Sequence, residues 1–284
     1  MTLSRTLTLV VSWLWLILFS IVPLGIILAI ALALPADSVP PFHFAANLES
    51  FAIAATDDLY RHAFWLSIRT ASISTLICLL IGYPMALAIA RTAERWRAAL
   101  LLALMLPFWT GFLMRINAWI GMLRDDGWIN DALTFLGFAP VRLLYTDTAL
   151  YIGMVYTYLP FMVLPVYARL AKLDATLLEA AADLGASPSR AFLRVTLPLS
   201  LPGIVAGVAL VFIPAVGEYV IPELLGGPGA QLIGRVMWEE FFENRDWPMA
   251  SSLAWMLLML VVVLPVCVRA MVRMARRPND GSPS

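Results

Sequence analysis

The lengths of the uncharged runs constrain this sequence more than any other feature. Thr6 to Ala36, Thr70 to Ala90, Ala98 to Met114, Thr148 to Ala168, Val195 to Gly217 and Trp247 to Val268 each pass without an Asp, Glu, Lys or Arg. A helix needs about 20 residues to cross roughly 30 Å of hydrocarbon, so these runs predict six transmembrane helices. The third reaches full length only by continuing past Arg115 through Ile116 to Leu123. Composition agrees: 61% of residues are hydrophobic and 13% charged, with a mean hydropathy of +0.85, where a soluble domain is about 45–50% apolar.

The expected fold is therefore an all-α polytopic membrane protein. Residues 1–63 would hold the first span and an outer loop, 64–272 a five-span core, and 273–284 a tail, disordered from Pro278 to Ser284. Ala31-Leu32-Ala33 looks like a signal cleavage site. The run before it is about twice the roughly 7–15 apolar residues of a signal peptide, so a retained span is expected.

Net charge is zero, but its distribution is not even. With six spans both termini share one side. If that side is cytoplasmic, the inner segments hold twelve basic residues, among them Arg91, Arg95, Arg97, Arg169, Lys172, Arg190 and Arg194, against five acidic ones, a balance of +7. The remainder holds seven basic against fourteen acidic, or −7. Arg-rich short loops stay inside, so both termini are expected in the cytoplasm.

Other classes of function find little support. Cys78 and Cys267 both lie in apolar runs, and His43 and His62 have no ligand neighbours at metal spacing, so neither a disulfide framework nor a metal or other cofactor is expected. The one lysine, Lys172, follows Ala171; a phosphate-binding loop needs Gly-Lys-Ser/Thr, so the chain has no ATP site of its own. No catalytic residue and no nucleic-acid surface is indicated.

The connections carry their own signals. Pro35 to Asp58 reads as an outer loop with one short turn, and Arg91 to Arg97 as a tight cytoplasmic corner with Trp96 at headgroup level. Trp128 to Leu136 reads as a half-buried interfacial helix stopped by Gly137. After Gly226-Gly227-Pro228-Gly229, an amphipathic outer helix sets Leu232, Ile233, Val236, Met237 and Phe241 against Arg235, Glu239 and Glu243. Asp246-Trp247-Pro248 reads as cap, interface aromatic and first-turn proline of the last span.

The loop over 172–198 is the most informative. Asp174 is placed to cap a helix through Leu184, with Leu177, Leu178, Ala181 and Leu184 as an apolar stripe and Gly185 as its stop. Ser187-Pro188 then begins a second short helix, which Pro198 is expected to close. Two short helices joined at a glycine form a knob whose leucines need cover, from a partner's socket or from the bilayer surface.

These residues carry a resemblance. Glu179-Ala180-Ala181, then Gly185, then Val195-Thr196-Leu197-Pro198 resembles the EAA motif of binding-protein-dependent ABC importer permeases, with Val195 in place of the usual isoleucine. The resemblance implies the type I importer (MetI-like) transmembrane fold, and a coupling helix in which Glu179, Ala180, Ala181, Asp183, Leu184 and Gly185 dock on the ATPase. It further implies two ABC ATPase subunits, a second permease subunit forming a heterodimer, a periplasmic or extracellular binding protein, and a place in the lipid bilayer of the inner membrane. ATP binding would draw the two docking helices together and open the cavity outward, and hydrolysis would reset it.

Within that family, Pro107 to Arg115, Tyr158 to Pro165, Gly217 to Pro228 and Asn244 to Pro248 resemble the polyamine permeases, nearest the putrescine-type subunit. The implied partner outside is then a polyamine-binding protein.

Ionisable residues inside a membrane usually face a partner or an aqueous path. Arg115, Glu218 and Glu223 are the candidates. A diamine carries two ammonium groups joined by methylenes, and Glu218, Tyr219, Glu223, Trp109 and Asn117 offer it carboxylates, an amide and aromatic faces. Two readings stay open for Glu218: a transient substrate site, or an ion pair with Arg115 that holds the bundle together. Two rivals stand beside this reading: an ABC permease for another small solute, and a stand-alone secondary transporter, for which the inverted repeats that would mark one are not evident.

Overall fold

A computed structural model describes residues 2–275, with side chains over 9–174 and 176–263. The expected tail disorder, over 278–284, lies outside the described residues. The described chain is almost wholly helical and divides into two compact units, one formed by residues up to His62 with those from Val236 onward, the other by Ala63–Arg235.

In the first unit, α1 (Thr2–Leu16) passes through a π turn into α2 (Val22–Ala31). This first span is apolar and largely exposed from Leu9 to Ala31, as a helix facing lipid must be. α14 (Trp247–Ala275) packs against α2, and the buried Ser252 hydroxyl donates to the Ala31 carbonyl at 3.1 Å. The connection over 35–58 is more ordered than the expected loop with one turn. Leu34–Pro35 (β1) pairs antiparallel with Phe42–His43 (β2), and Glu49–Thr56 forms α3. The sequence hid the hairpin because its strands have two residues each, too few for alternation to show.

The second unit holds most of α4 (Asp58–Arg91), then α5 (Glu94–Met105), α6 (Phe112–Leu123), α7 (Trp128–Phe135), α8 (Asp147–Leu170), α9 (Ala175–Asp183), α10 (Pro188–Ala191), α11 (Leu197–Val216) and α12 (Val220–Leu225). α13 (Ile233–Trp238) begins in it and leads on to α14.

Four helical segments are long and apolar enough to cross a membrane alone: Leu9–Ala31, α4, α8 and Pro188–Val216. The expected third span is a bent pair, with Glu94–Trp109 and Phe112–Phe135 meeting at 89°. The expected final span falls on α14, whose apolar stretch among the described residues, Trp247–Val263, is shorter than those four.

The bend has a local cause. Pro107 lacks an N–H, and Thr110 and Gly111 are extended, with ψ of 147° and 145°. The Thr110 hydroxyl closes the preceding 3₁₀ turn on the Pro107 carbonyl at 2.8 Å.

A second departure concerns Pro198, which does not close the helix beginning at Pro188. A π turn over Phe192–Thr196 carries α10 straight into α11, with the Leu197 N–H bonding the Phe192 carbonyl. The wider turn makes room for a proline ring that an α-helix would resist.

Local capping otherwise follows the sequence. Met249 N–H donates to Asp246 Oδ1 at 2.9 Å to begin α14. Gly137 takes φ +82° after α7, where Gly137 and Phe138 N–H close on the Thr134 and Leu133 carbonyls at 3.0 and 2.9 Å.

Candidate functional site

Two places in the second unit bring the sequence candidates into a defined geometry: the loop between α8 and α11, and the break between α11 and α12.

The loop begins with Asp174, whose Oδ1 accepts the Thr176 N–H at 3.0 Å. That backbone hydrogen bond holds the Asp174 carboxyl below its usual range. α9 then ends at the Leu184 cap, with Gly185 at φ +77°. Gly185 N–H bonds Ala182 O at 2.8 Å and Ala186 N–H bonds Ala181 O at 2.9 Å. This pair of bonds satisfies the last carbonyls and turns the chain sharply, a closure that needs the left-handed glycine. The outward surface of the knob is Glu179, Ala180, Asp183 and Leu184, all exposed, while Ala181 and Leu178 are half-buried. Leu184 is 89% exposed. A leucine at the tip of a rigid turn, flanked by two carboxylates one helical turn apart, is a surface shaped for a partner.

The α11–α12 break begins where Gly217 ends α11. Glu218 then turns back on the chain: its Oε1 accepts Val220 N–H at 3.0 Å and Ile221 N–H at 3.4 Å, capping α12. Its Oε2 accepts the hydroxyl of Tyr158 from α8. Both carboxylate oxygens are thus engaged within the chain. α13 starts directly against this break, since a methyl group on Gly234 would lie 2.5 Å from Gly217 O and 2.7 Å from Glu218 O. Ile233 N–H is anchored to the buried Ser67 hydroxyl at 2.7 Å.

Arg115 and Glu218 are not an ion pair. The Arg115 guanidinium lies over the Phe108 ring at 4.7 Å and the Phe112 ring at 5.7 Å, and its buried Nε and Nη1 have no hydrogen-bond partner. Aromatic rings fill the interval: Phe108 meets Phe161 edge-on at 5.5 Å, and Phe161 lies 6.3 Å from Tyr158, which holds Glu218. Quadrupole attraction replaces the expected carboxylate at Arg115. Sequence reasoning assigns Tyr158 and Phe161 no role of their own; both sit on α8 in the Tyr-Leu-Pro-Phe segment, where their helical spacing of three was the available signal.

The remaining candidates are spread around these elements. Glu223, on α12, pairs with Arg235 of α13 at 3.0 Å, with the Glu223 side chain 38% exposed. Trp109, at the bend before α6, is 83% exposed. Asn117 is exposed on α6, its amide donating to Leu113 O at 2.9 Å. Tyr219 lies half-buried at the break itself.

Comparison with known proteins shows the family. A family described as "Binding-protein-dependent transport system inner membrane component" matches residues 2–277. The chain is 40% identical over 262 residues to the "Spermidine/putrescine transport system permease protein PotB" of Haemophilus influenzae, covering 92% of this chain and 91% of that one. It is 40% identical over 240 residues to the protein of the same name from Escherichia coli, covering 84% and 86%. A more distant relative, the "Molybdenum transport system permease protein ModB" of Mycobacterium bovis, is 31% identical over 200 residues, covering 70% and 74%. Among solved structures, a bacterial ABC transporter involved in import of the acidic polysaccharide alginate superposes with a TM-score of 0.73 at 17% identity, over 96% of each chain. The MetNI methionine ABC transporter in an inward-facing conformation gives 0.56 at 19% identity, over 77% and 97%.

Proposed function

The chain belongs to the binding-protein-dependent transport system inner membrane components, and from that premise we propose that it is the permease subunit of an ABC importer carrying a polyamine, putrescine or spermidine, across the cytoplasmic membrane. The observation that carries the cargo assignment is 40% identity across nine-tenths of the chain to a permease named for spermidine and putrescine.

The chemistry of the outer break suits a cation. Glu218, Tyr219, Glu223, Trp109 and Asn117 line the proposed route, and the partly exposed Glu223 is the carboxylate best placed to exchange its Arg235 partner for a substrate ammonium. Glu218, with both oxygens engaged, contributes mainly by fixing Tyr158 and α12 in place and by its negative charge. Arg115 stays behind its aromatic cover, away from a like-charged substrate.

Energy comes from outside the chain. The exposed tip of α9 docks on a cytoplasmic ATPase, one of two. A second, different permease completes the pore, and a soluble polyamine-binding protein delivers cargo on the outer side. The charge balance of the arginine-rich segments supports both termini lying in the cytoplasm.

The test is uptake of labelled putrescine by proteoliposomes that contain this chain with its ATPase, companion permease and binding protein. ATP-dependent uptake that is lost on replacing Glu179 and Gly185 supports the reading. Uptake by this chain alone, driven by an ion gradient, overturns it.

A further inference from the structure

The groove formed where α4, α5 and α8 come together has the chemistry of a lipid site. It encloses about 480 Å³ and is lined almost entirely by apolar groups, among them Met85, Ala88, Ile89, Ala103, Leu104 and Leu159. Ala88 and Ala103 are small and exposed, so nothing among the described residues fills the space above them. Thr92, which also lines the groove, belongs to the corner between α4 and α5.

That corner is built rather than loose. The Thr92 hydroxyl donates to Ala88 O at 2.8 Å, and Arg97 Nε donates to Thr92 O at 2.9 Å. With Arg97 spent on the backbone, Arg91 and Arg95 remain exposed, and among the described residues neither has a salt bridge or hydrogen bond. Glu94 is the single acidic residue between Arg91 and Arg97. Trp96, 56% exposed, marks the headgroup level. The groove therefore ends at Thr92, in a corner whose neighbouring residues Arg91 and Arg95 are exposed.

We propose that this groove binds one anionic phospholipid of the inner leaflet, an acyl chain lying along Ala88 and Ala103 and its phosphate meeting Arg91 and Arg95. Charge complementarity selects this occupant: basic sites between transmembrane helices on the cytoplasmic side recognise anionic headgroups, whereas a protein helix would need acidic residues to satisfy the same corner. The site lies apart from both the α9 knob and the Glu218 break, so it does not depend on the cargo assignment.

Native mass spectrometry of the full chain, purified in detergent and titrated with phosphatidylglycerol or phosphatidylcholine of matched acyl chains, tests this. Phosphatidylglycerol is expected to be retained preferentially, and R91Q/R95Q to weaken its retention on the order of 30-fold, from about fivefold per arginine. R91K/R95K should keep most of it, which separates charge from fold. Ala103→Trp, filling the groove, should abolish retention of both lipids at this site. Equal retention of the two lipids by the unaltered chain overturns the proposal, as does photo-crosslinking from position 103 in membranes that captures a polypeptide instead of lipid.

Discussion

The Tyr158–Glu218 hydrogen bond and the cap that Glu218 places on α12 allow a quantitative prediction. Glu218→Ala removes the acceptor for the Val220 and Ile221 N–H groups, a loss of about 1 kcal/mol for a helix cap. It also leaves the Tyr158 hydroxyl, in a side chain only 6% exposed, without its acceptor, at about 1–3 kcal/mol. The expected destabilisation is about 2–4 kcal/mol. Glu218→Gln keeps a carbonyl acceptor for the backbone and turns an amide donor to the Tyr158 oxygen, which retains one hydrogen bond but leaves the Tyr158 O–H without its acceptor, so the cost falls below that of alanine, about 1–3 kcal/mol. Unfolding in mixed micelles of rising denaturing-detergent fraction would measure these values, with Tyr158→Phe completing a double-mutant cycle against Glu218→Ala. The two residues should couple by about 1.5–3 kcal/mol. Strict additivity, within about 0.5 kcal/mol, would refute the reasoning that this bond joins α8 to the break. The same Glu218→Gln protein separates structure from transport: folded protein with unchanged polyamine uptake removes the carboxylate's charge from the route.

Further perturbations bear on the neighbouring elements. At Gly185, φ +77° with open space around it makes alanine cost about 1–2 kcal/mol by conformation alone, so ATP-driven uptake should fall in the order Gly, Asn, Ala; an alanine variant as active as the parent would show that the turn is not required. Gly234→Ala forces a methyl against two backbone carbonyls and should cost about 1–3 kcal/mol, measurable in the same unfolding assay. The folded-state pKa of Asp174 is lowered by the Thr176 N–H, so its cap is fully present above the unfolded carboxyl value of about 4 and is lost as pH falls through the folded one. Hydrogen exchange at Thr176 should accelerate only in that acid range, and Asp174→Asn should abolish the transition. Asn130 bonds the Arg124, Asp125 and Val141 carbonyls and accepts the Val141 N–H; Asn130→Asp turns a donor into a repelled carboxylate and should open the α6–α7 connection to proteolysis.

What could be read from the sequence was local. Asp174, Gly137, Gly185 and Asp246 act within a few residues of themselves, so their chemistry and their position in the pattern determine the helix ends they form. What could not be read was the choice of partner across the chain. Tyr158 and Glu218 are 60 residues apart, and the buried Glu240, which accepts the Tyr60 hydroxyl at 2.9 Å, finds its donor 180 residues away. Glu240 takes no place beside Arg235, Glu239 and Glu243 in the sequence pattern, because nothing adjacent to it reveals that a tyrosine and Asn244 satisfy it. Arg115 failed for the related reason that charge alone suggests a carboxylate, while aromatic rings at helical spacing compete for it.

The positions of these bonds suggest how the two ends of the chain communicate. The knob at 172–198 joins the C-terminal end of α8 to the start of α11, and the Tyr158–Glu218 bond joins the middle of α8 to the residue just past the far end of α11. α8 and α11 are therefore joined through the knob and again at Tyr158, and between these points Gly203 and Gly207 allow them to approach closely, since a methyl on either would lie 2.7 Å from atoms of Pro165 or Met162 on α8. Closely packed helices shift as units rather than bend continuously. A displacement of α9 imposed by a docked partner would then reach Glu218 as a shift of α8 against α11, altering the α12 cap and, through it, the Glu223–Arg235 pair. On this argument Tyr158→Phe should leave ATPase docking intact while weakening the dependence of uptake on ATP hydrolysis. A variant that lost docking and coupling together would instead place the fault in the knob.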